Sequence, residues 1–386
     1  MIYLDNSATT EISKASKQKM LEAMEIYGNP SSTHRAGIEA RRIIDEARER
    51  VGAALGVARP NPENLIFTGS GSEANNTAIL GCVYSKEKRR GNKIITTDSE
   101  HPSVENVMRK LEKDGFEVVR IPTRGGKVDE EKFLSALDDK TLLISMMLVN
   151  NETGAVYDLK KLFAAAKRKC PDAVTHCDAV QGFMKVPFTP KSIFADLVSV
   201  SAHKIHGPKG VGALYISPDI IKQKKIIPYI IGGGQENGYR SGTENIVGIA
   251  GFGAAADEAK RSISTSVAKT ACLRDLCERV IIEAGATPNI PEAARAPQVL
   301  SIRLPDIKSE TMLNFLSGKG ICISAGSACS AHSRKMSGTL LAFGLTERQA
   351  DCTLRISFSE YNTEDEIATF GEALKEGINT LVRINH

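Results

Sequence analysis

Four short stretches hold residues whose types and spacing could do chemistry. The run Thr68-Gly69-Ser70-Gly71-Ser72-Glu73-Ala74-Asn75-Asn76 ends an apolar segment, turns on glycine and serine, and opens a helical pattern. Amides exposed at a helix start, among small hydroxyls, suit a phosphate. The run lacks the Gly-Lys-Ser/Thr of a Walker loop and the G-x-G-x-x-G of dinucleotide folds. Taken alone it also reads as a plain strand-to-helix turn. In Ser199-Val200-Ser201-Ala202-His203-Lys204-Ile205-His206-Gly207-Pro208-Lys209-Gly210, Lys204 ends a strand before a glycine turn. A Schiff-base lysine needs a lowered pKa, which partial burial and a neighbouring cation favour, and His203 stands beside it. Alone, Lys204 equally reads as a surface lysine.

Asp178 ends the apolar part of Thr175-His176-Cys177-Asp178-Ala179-Val180-Gln181. A carboxylate at such a strand end lies near the crevice where ligands bind. Against a pyridinium it would keep the ring nitrogen protonated and the ring electron-accepting. A helix cap or an exposed acid is the plainer alternative. The fourth stretch is Ser324-Ala325-Gly326-Ser327-Ala328-Cys329-Ser330-Ala331-His332-Ser333. Cys329 sits among Ser, Gly and Ala, a composition that describes a loop, not a core. Composition leaves it either a reactive thiol or a small buried residue. Cys322, within Ile321-Cys322-Ile323, reads as structural.

The elements that would position these residues follow from hydrophobic periodicity. Short apolar runs at 64–68, 93–97, 142–149, 173–177, 197–201 and 211–216 alternate with helical stretches such as 159–169. This pattern predicts an α/β fold whose mostly parallel sheet is covered on both faces. The runs 197–201 and 211–216, joined by a glycine-rich turn, could instead form a local hairpin. Residues 33–55 predict an amphipathic helix, with Ser31, Ser32 and Thr33 offering capping hydroxyls. Residues 245–285 predict one or two long helices leaving the first domain. Strands at 298–304, 321–323 and 353–358, with helices at 309–316 and 364–382, predict a second, smaller α+β domain.

The chain has 386 residues, long enough for two domains. Its 41% hydrophobic and 25% charged residues are ordinary for a globular protein, and a net charge of +4 does not suggest a nucleic-acid binder. The start lacks a basic region followed by an apolar run, and no apolar stretch approaches the roughly 20 residues of a membrane span. None of the eight cysteines forms a C-x-x-C pair. Zinc is therefore not expected, and a reducing, cytoplasmic setting is.

Together the four stretches resemble the NifS/IscS-type cysteine desulfurases of the class V aminotransferase group. Further matching runs are Tyr3-Leu4-Asp5-Asn6-Ser7-Ala8-Thr9-Thr10, Gly28-Asn29-Pro30-Ser31-Ser32, 97–101, and Val149-Asn150-Asn151-Glu152-Thr153-Gly154. Gly232-Gly233-Gly234-Gln235-Glu236 and Arg240-Ser241-Gly242-Thr243 match as well. The resemblance implies a fold-type I pyridoxal-phosphate (PLP) enzyme with a seven-stranded type of sheet. Residues 15–255 would form its large domain; 1–14 and 256–386 would form the small domain carrying the cysteine loop.

The resemblance also implies roles. Lys204 would join the cofactor, Asp178 pair with its ring nitrogen, Gln181 with the ring hydroxyl, and His101 stack on the ring. Gly71, Ser72, Ser201 and His203 would hold the phosphate, with Thr243 reaching it from the partner subunit of a homodimer. Asn151 and Arg355 would bind the carboxylate of L-cysteine, Arg355 as a bidentate fork. Cys329 would accept sulfur as a persulfide and pass it to an acceptor protein, an iron–sulfur scaffold or a tRNA-thiolation enzyme. No metal, direct nucleic acid or membrane partner is implied. A selenocysteine lyase or an aminotransferase is the alternative within the group. A non-catalytic sulfur carrier would need neither Lys204, Asp178 nor His101. Residues 332–339 lack the Pro-Ser-His pattern common after the cysteine. The longer tail with which some relatives dock a scaffold is not expected here.

Position separates the two lysines of the second stretch, since Lys204 follows its strand directly while Lys209 sits in a Gly-Pro turn. Borohydride reduction followed by peptide mapping is expected to label Lys204. A label on Lys209 would overturn the assignment.

Overall fold

A computed structural model describes residues 1–85, 91–290, 292–326 and 337–384. In chain order the first elements are β1 (Ile2–Tyr3), α1 (Lys14–Met24), α2 (Arg35–Leu55), β2 (Leu65–Thr68), α3 (Gly71–Val83), β3 (Lys93–Thr97), α4 (Pro102–Lys113) and β4 (Glu117–Ile121). There follow α5 (Glu130–Ala136), β5 (Thr141–Met147), α6 (Leu159–Lys169), β6 (Val174–Asp178), β7 (Leu197–Ser201), β8 (Gly212–Ile216), α7 (Pro218–Lys222) and α8 (Ile246–Glu283). The last are β9 (Thr287–Pro288), β10 (Val299–Arg303), α9 (Ser309–Gly318), β11 (Ile321–Cys322), β12 (Ser324–Ala325), α10 (Gly338–Ala342), α11 (Glu347–Asp351), β13 (Thr353–Ser357) and α12 (Glu364–Thr380).

The large sheet has seven strands in the order β2-β8-β7-β6-β5-β3-β4. All pairs are parallel except those made by β8, which runs antiparallel to both β2 and β7. The hairpin alternative for 197–201 and 211–216 is therefore the one realised. Alternate residues of each strand serve opposite faces: Ile95, Ile144, Cys177 and Val198 enter one apolar cluster, while Ile94, Leu143, Val174 and Leu197 enter another. Burial on both faces is why these strands are continuous apolar runs and not alternating ones. The edge strand β4, Glu117-Val118-Val119-Arg120-Ile121, is half-exposed and carries charge, so its sequence did not stand out.

A third cluster gathers Leu4, Leu300, Ile302, Leu354, Ile356, Phe370 and Leu374 around the antiparallel sheet β12-β13-β10-β9. The first part of α8 buries Gly248 to Ala256, and its last turns bury Leu273, Cys277 and Ile281 in this third cluster. The region 245–285 is thus one helix, not two. The strand expected at 321–323 is realised over its first two residues as β11, which pairs with β1, while Ser324 and Ala325, read as the start of a loop, form β12 against β13. Helix α2 also departs from expectation. Its N-cap is His34, whose Nδ1 accepts the Gly37 N–H at 3.3 Å, so Ser31, Ser32 and Thr33 do not cap it.

One buried ion pair fixes the loop that follows α7. Arg48 and Glu236 are 1% and 2% exposed and bond twice, at 2.7 and 2.8 Å. Glu236 also accepts the Phe67 N–H at 2.8 Å, and Arg48 donates to the Leu65 carbonyl of β2. These bonds hold Glu236 and Asn237 at φ +47° and +53°, where non-glycine residues are uncommon. Removing one partner of such a pair strands a buried charge. Arg48→Ala is therefore expected to destabilise the protein by about 3–5 kcal/mol in denaturant unfolding. A change below ~1 kcal/mol would show that the pair is dispensable.

Candidate active site

The crevice lies where the parallel strands end at their C-termini, as open α/β sheets generally place ligand sites. β6 ends on Asp178, which is 6% exposed. Its Oδ1 accepts the Val180 N–H at 3.0 Å and its Oδ2 accepts Asn75 Nδ2 at 2.7 Å. His101 follows β3 as the N-cap of α4, where its Nδ1 accepts the Ser103 N–H at 3.1 Å. Burial keeps its pKa below the ordinary histidine value, and Lys204 adds in the same direction against Asp178.

Lys204 follows β7 in a single turn of 3-10 helix, Ala202–Lys204. Its Nζ donates to the carbonyls of Ser7 and Ala8, the latter at 2.9 Å. Gln181 Nε2 reaches the same Ser7 carbonyl at 2.8 Å. His203 lies beside Thr9 Oγ1 at 3.4 Å, and its pKa is pushed down to about 4 by burial and by Lys204 and Lys209.

A cradle forms at the start of α3. Ser70 caps the helix by accepting the Glu73 N–H at 3.1 Å, and the first amides of a helix have no acceptor within it. A Cβ on Gly71 would lie 2.6 Å from Val180 Cγ2 and 3.3 Å from Ser201 Cβ, so only glycine lets this end approach the sheet. The Ser201 hydroxyl is buried with no hydrogen-bond partner among the described residues. A buried hydroxyl left unpaired calls for a further polar group. Ser72 is exposed at the same helix end. Glu73 ties the cradle to Arg240 at 2.8 Å and accepts the Gly69 N–H at 2.9 Å. Thr243 is exposed three residues beyond Arg240.

Arg355 enters from β13. It is 2% exposed, donates to the Asn151 carbonyl at 2.9 Å and pairs with Asp5 at 2.9 Å. Its Nε has no partner among the described residues. The neighbouring Glu152 is pushed up to about 7 by burial and accepts the Ser337 hydroxyl. The structure thus gathers His101, Asp178, Gln181, Ser201, His203, Lys204 and the Gly71 cradle at adjoining strand ends, and links Asn151 to Arg355. Cys329 lies outside the described residues. Cys322 is half-buried on β11.

Sequence reasoning gave no role to Asp5, Ser7, Asn75 or Ser103. Asn75 lay inside a motif already singled out, one turn beyond Gly71. The Ser7 carbonyl has no sequence signal, since a backbone acceptor is the same at every residue.

The chain belongs to the aminotransferase class-V family, whose model matches residues 2–370. Within that family its relatives are more particular. It is 39% identical over 382 residues to the cysteine desulfurase IscS of Clostridium botulinum, covering 95% of this chain and 91% of that one. It superposes on a NifS-like protein with a TM-score of 0.91 at 36% identity, covering 98% and 100%. On SspA in complex with cysteine the TM-score is 0.80 at 31% identity, covering 94% and 100%.

The depressed His203 value has a consequence for stability. Between about pH 4 and the ordinary 6.5 the folded ring binds fewer protons than the unfolded one. Stability is therefore lost as pH falls through that window. His203→Asn is expected to flatten this loss in the ligand-free protein by on the order of 1 kcal/mol, a figure discounted for partial exposure of the ring. Melting temperature measured from pH 7 to 4 for both proteins checks it, and parallel curves would refute it.

Proposed function

We propose that this protein is a PLP-dependent cysteine desulfurase, converting L-cysteine to L-alanine and taking the sulfur onto Cys329. The observation that carries the reading is the convergence of Lys204, Asp178 and His101 from β7, β6 and β3 beside the Gly71–Ser201 cradle. The residues present fit the cofactor. The unpaired Ser201 hydroxyl and the amides of α3 that precede the capped Glu73 N–H suit a phosphate. Asp178 suits a protonated ring nitrogen, Gln181 a ring hydroxyl, and Lys204 a carbonyl carbon. When bound, the cofactor supplies an electron sink for bond cleavage at the amino acid.

The chain's own groups do the rest. Arg355 and Asn151 bind the substrate carboxylate, with Asp5 keeping the guanidinium aimed. Lys204 takes and returns the α-proton at Nζ. His203, kept neutral by burial, sets no second full charge beside that amine. The Cys329 thiolate attacks the substrate sulfur; the S–S bond forms as the Cβ–S bond breaks, and the bonding pair stays with carbon. The sulfur then leaves to an acceptor protein of iron–sulfur or tRNA-thiolation chemistry.

The active form is a homodimer in which Thr243 completes the partner's phosphate site, and it works in the cytoplasm. Residues 15–255 form the cofactor-binding domain, with 1–14 and 256–386 as the smaller one. The apolar cluster drawn only from Leu4 and from Leu273 to Ile378 supports the smaller domain as a unit, while Ile290, Ala293, Ala296 and Phe343 pack into the core of the larger one. Among the described residues, no helix is long and apolar enough to cross a membrane.

Cys329→Ala separates the two halves of the chemistry. The variant is expected to bind PLP and to change its absorption spectrum on adding cysteine, yet to form almost no alanine, because water and Ser327 are far weaker nucleophiles toward sulfur. Alanine formed per turnover by wild type, Cys329→Ala and Cys322→Ala is the measurement. Near-normal alanine from Cys329→Ala would favour direct sulfur expulsion. Loss in Cys322→Ala alone would mean that Cys322 is the acceptor, and amino transfer to an oxo acid would make the enzyme an aminotransferase.

A further inference from the structure

Asn75 is 1% exposed on α3, and its side-chain nitrogen makes two bonds in the crevice. One goes to Asp178 Oδ2 at 2.7 Å and the other to Ser103 Oγ at 2.9 Å. An amide nitrogen only donates, so Ser103 Oγ accepts here and its own hydrogen must point elsewhere. The His101 Nδ1 lies 2.8 Å from that oxygen, and the Ser103 backbone N–H also donates to Nδ1 at 3.1 Å. The backbone N–H directed at Nδ1 makes that nitrogen an acceptor, so the Ser103 hydroxyl donates to it and a neutral ring carries its proton on Nε2. Meanwhile both oxygens of Asp178 accept. The amide cannot turn over, because Oδ1 would then face the Asp178 carboxylate. As it stands, Oδ1 is buried with no partner among the described residues. A buried acceptor left unpaired is costly, so the orientation is held by the two bonds on the nitrogen.

We propose that Asn75 is a positioning residue whose single amide fixes two cofactor contacts together: Asp178 as an acceptor-only carboxylate, and His101 as a neutral ring with its proton on Nε2. This rests on the PLP reading for its purpose but not for its geometry. The ring proton is thereby directed away from Ser103, and the charge under the ring nitrogen is kept. Asp178 is also faced by His101, Glu100 and the Cys177 thiol, with Lys204 acting on His101. Those groups remain in wild type, Asn75→Asp and Ser103→Ala.

The test compares wild type, Asn75→Asp and Ser103→Ala, each checked for a cooperative thermal transition. Cofactor-free protein labelled with ¹⁵N-histidine is examined first, with His101→Gln assigning the ring. Wild type is expected to show a neutral Nε2–H ring at pH 8. Ser103→Ala removes the hydroxyl through which Asn75 reaches the ring, leaving the backbone N–H alone at Nδ1, so it should shift Nδ1 and weaken the preference for Nε2–H. Asn75→Asp sets two carboxylates against each other, so that one retains a proton and a titration step absent from wild type appears. On loading with PLP, its absorption should follow that step, and the PLP dissociation constant should rise roughly tenfold or more with loss of a charge-assisted bond. An Nδ1–H or doubly protonated ring in wild type would overturn the proposal. So would an Asn75→Asp protein that titrates and absorbs as wild type does, or an unchanged Nδ1 signal in Ser103→Ala. Should Asn75→Asp fail to fold, the wild-type and Ser103→Ala spectra decide. Should wild type take up no PLP, the functional reading falls, and the cofactor-free spectra still decide the role of Asn75.

Discussion

The peptide at Ser7 is where three distant parts of the chain are joined, and the crevice depends on it. Its carbonyl accepts Lys204 from the end of β7 and Gln181 from the end of β6, while its N–H donates to Ser357 Oγ of β13 at 2.8 Å. Thr10 extends the same strap by bonding the His203 carbonyl through both N–H and hydroxyl at 3.0 Å. Asp5 completes it by pairing with Arg355. A segment near the N-terminus thus ties the ends of two sheet strands to the antiparallel sheet. Backbone groups suit this task because their geometry is fixed once the flanking residues are placed.

Burial sets the electrostatics of the crevice more than charge pairing does. His101 and His203 are held below the ordinary histidine value chiefly by desolvation, and Lys204 adds to both. The ordinary cost of burying a cation falls on the imidazoles, which can shed their proton, while Lys204 keeps acceptors. His176, two residues before Asp178, is the structural counterpart. It is fully buried, bonded to Ser145 and Ser199 at 2.8 and 2.9 Å, and pushed down to about 3. Both its nitrogens are used, so it supports the sheet beneath the crevice and has no atom left to offer a ligand.

Some of this was legible in the residues themselves. Continuous apolar runs separated by helical stretches determined a sheet buried on both faces, because no other arrangement hides both sides of such strands. Lys204, Asp178 and the Gly71 turn stood out because each is a polar or flexible residue closing an apolar run, which places it at a strand end. The periodicity of 33–55 determined α2, but not its start or its cap. His34 could not be preferred over three hydroxyl residues until the path of the preceding turn was known.

Tertiary structure decided what joins what. β4 was missed because an edge strand, covered less fully, need not be apolar, and β12 was read as loop because Ser324 and Ala325 carry no strand signal apart from their pairing with β13. Asn75 and Ser103 acquire their role only when α3 and α4 come side by side over β6, since which proton an amide or a hydroxyl donates depends on what lies across from it. The same holds for Asp5 and Arg355, 350 residues apart. Residue type and local period determined which groups could act and on which kind of element. The pairing of those groups across the fold is a property of long-range packing, for which one sequence carries no local signal.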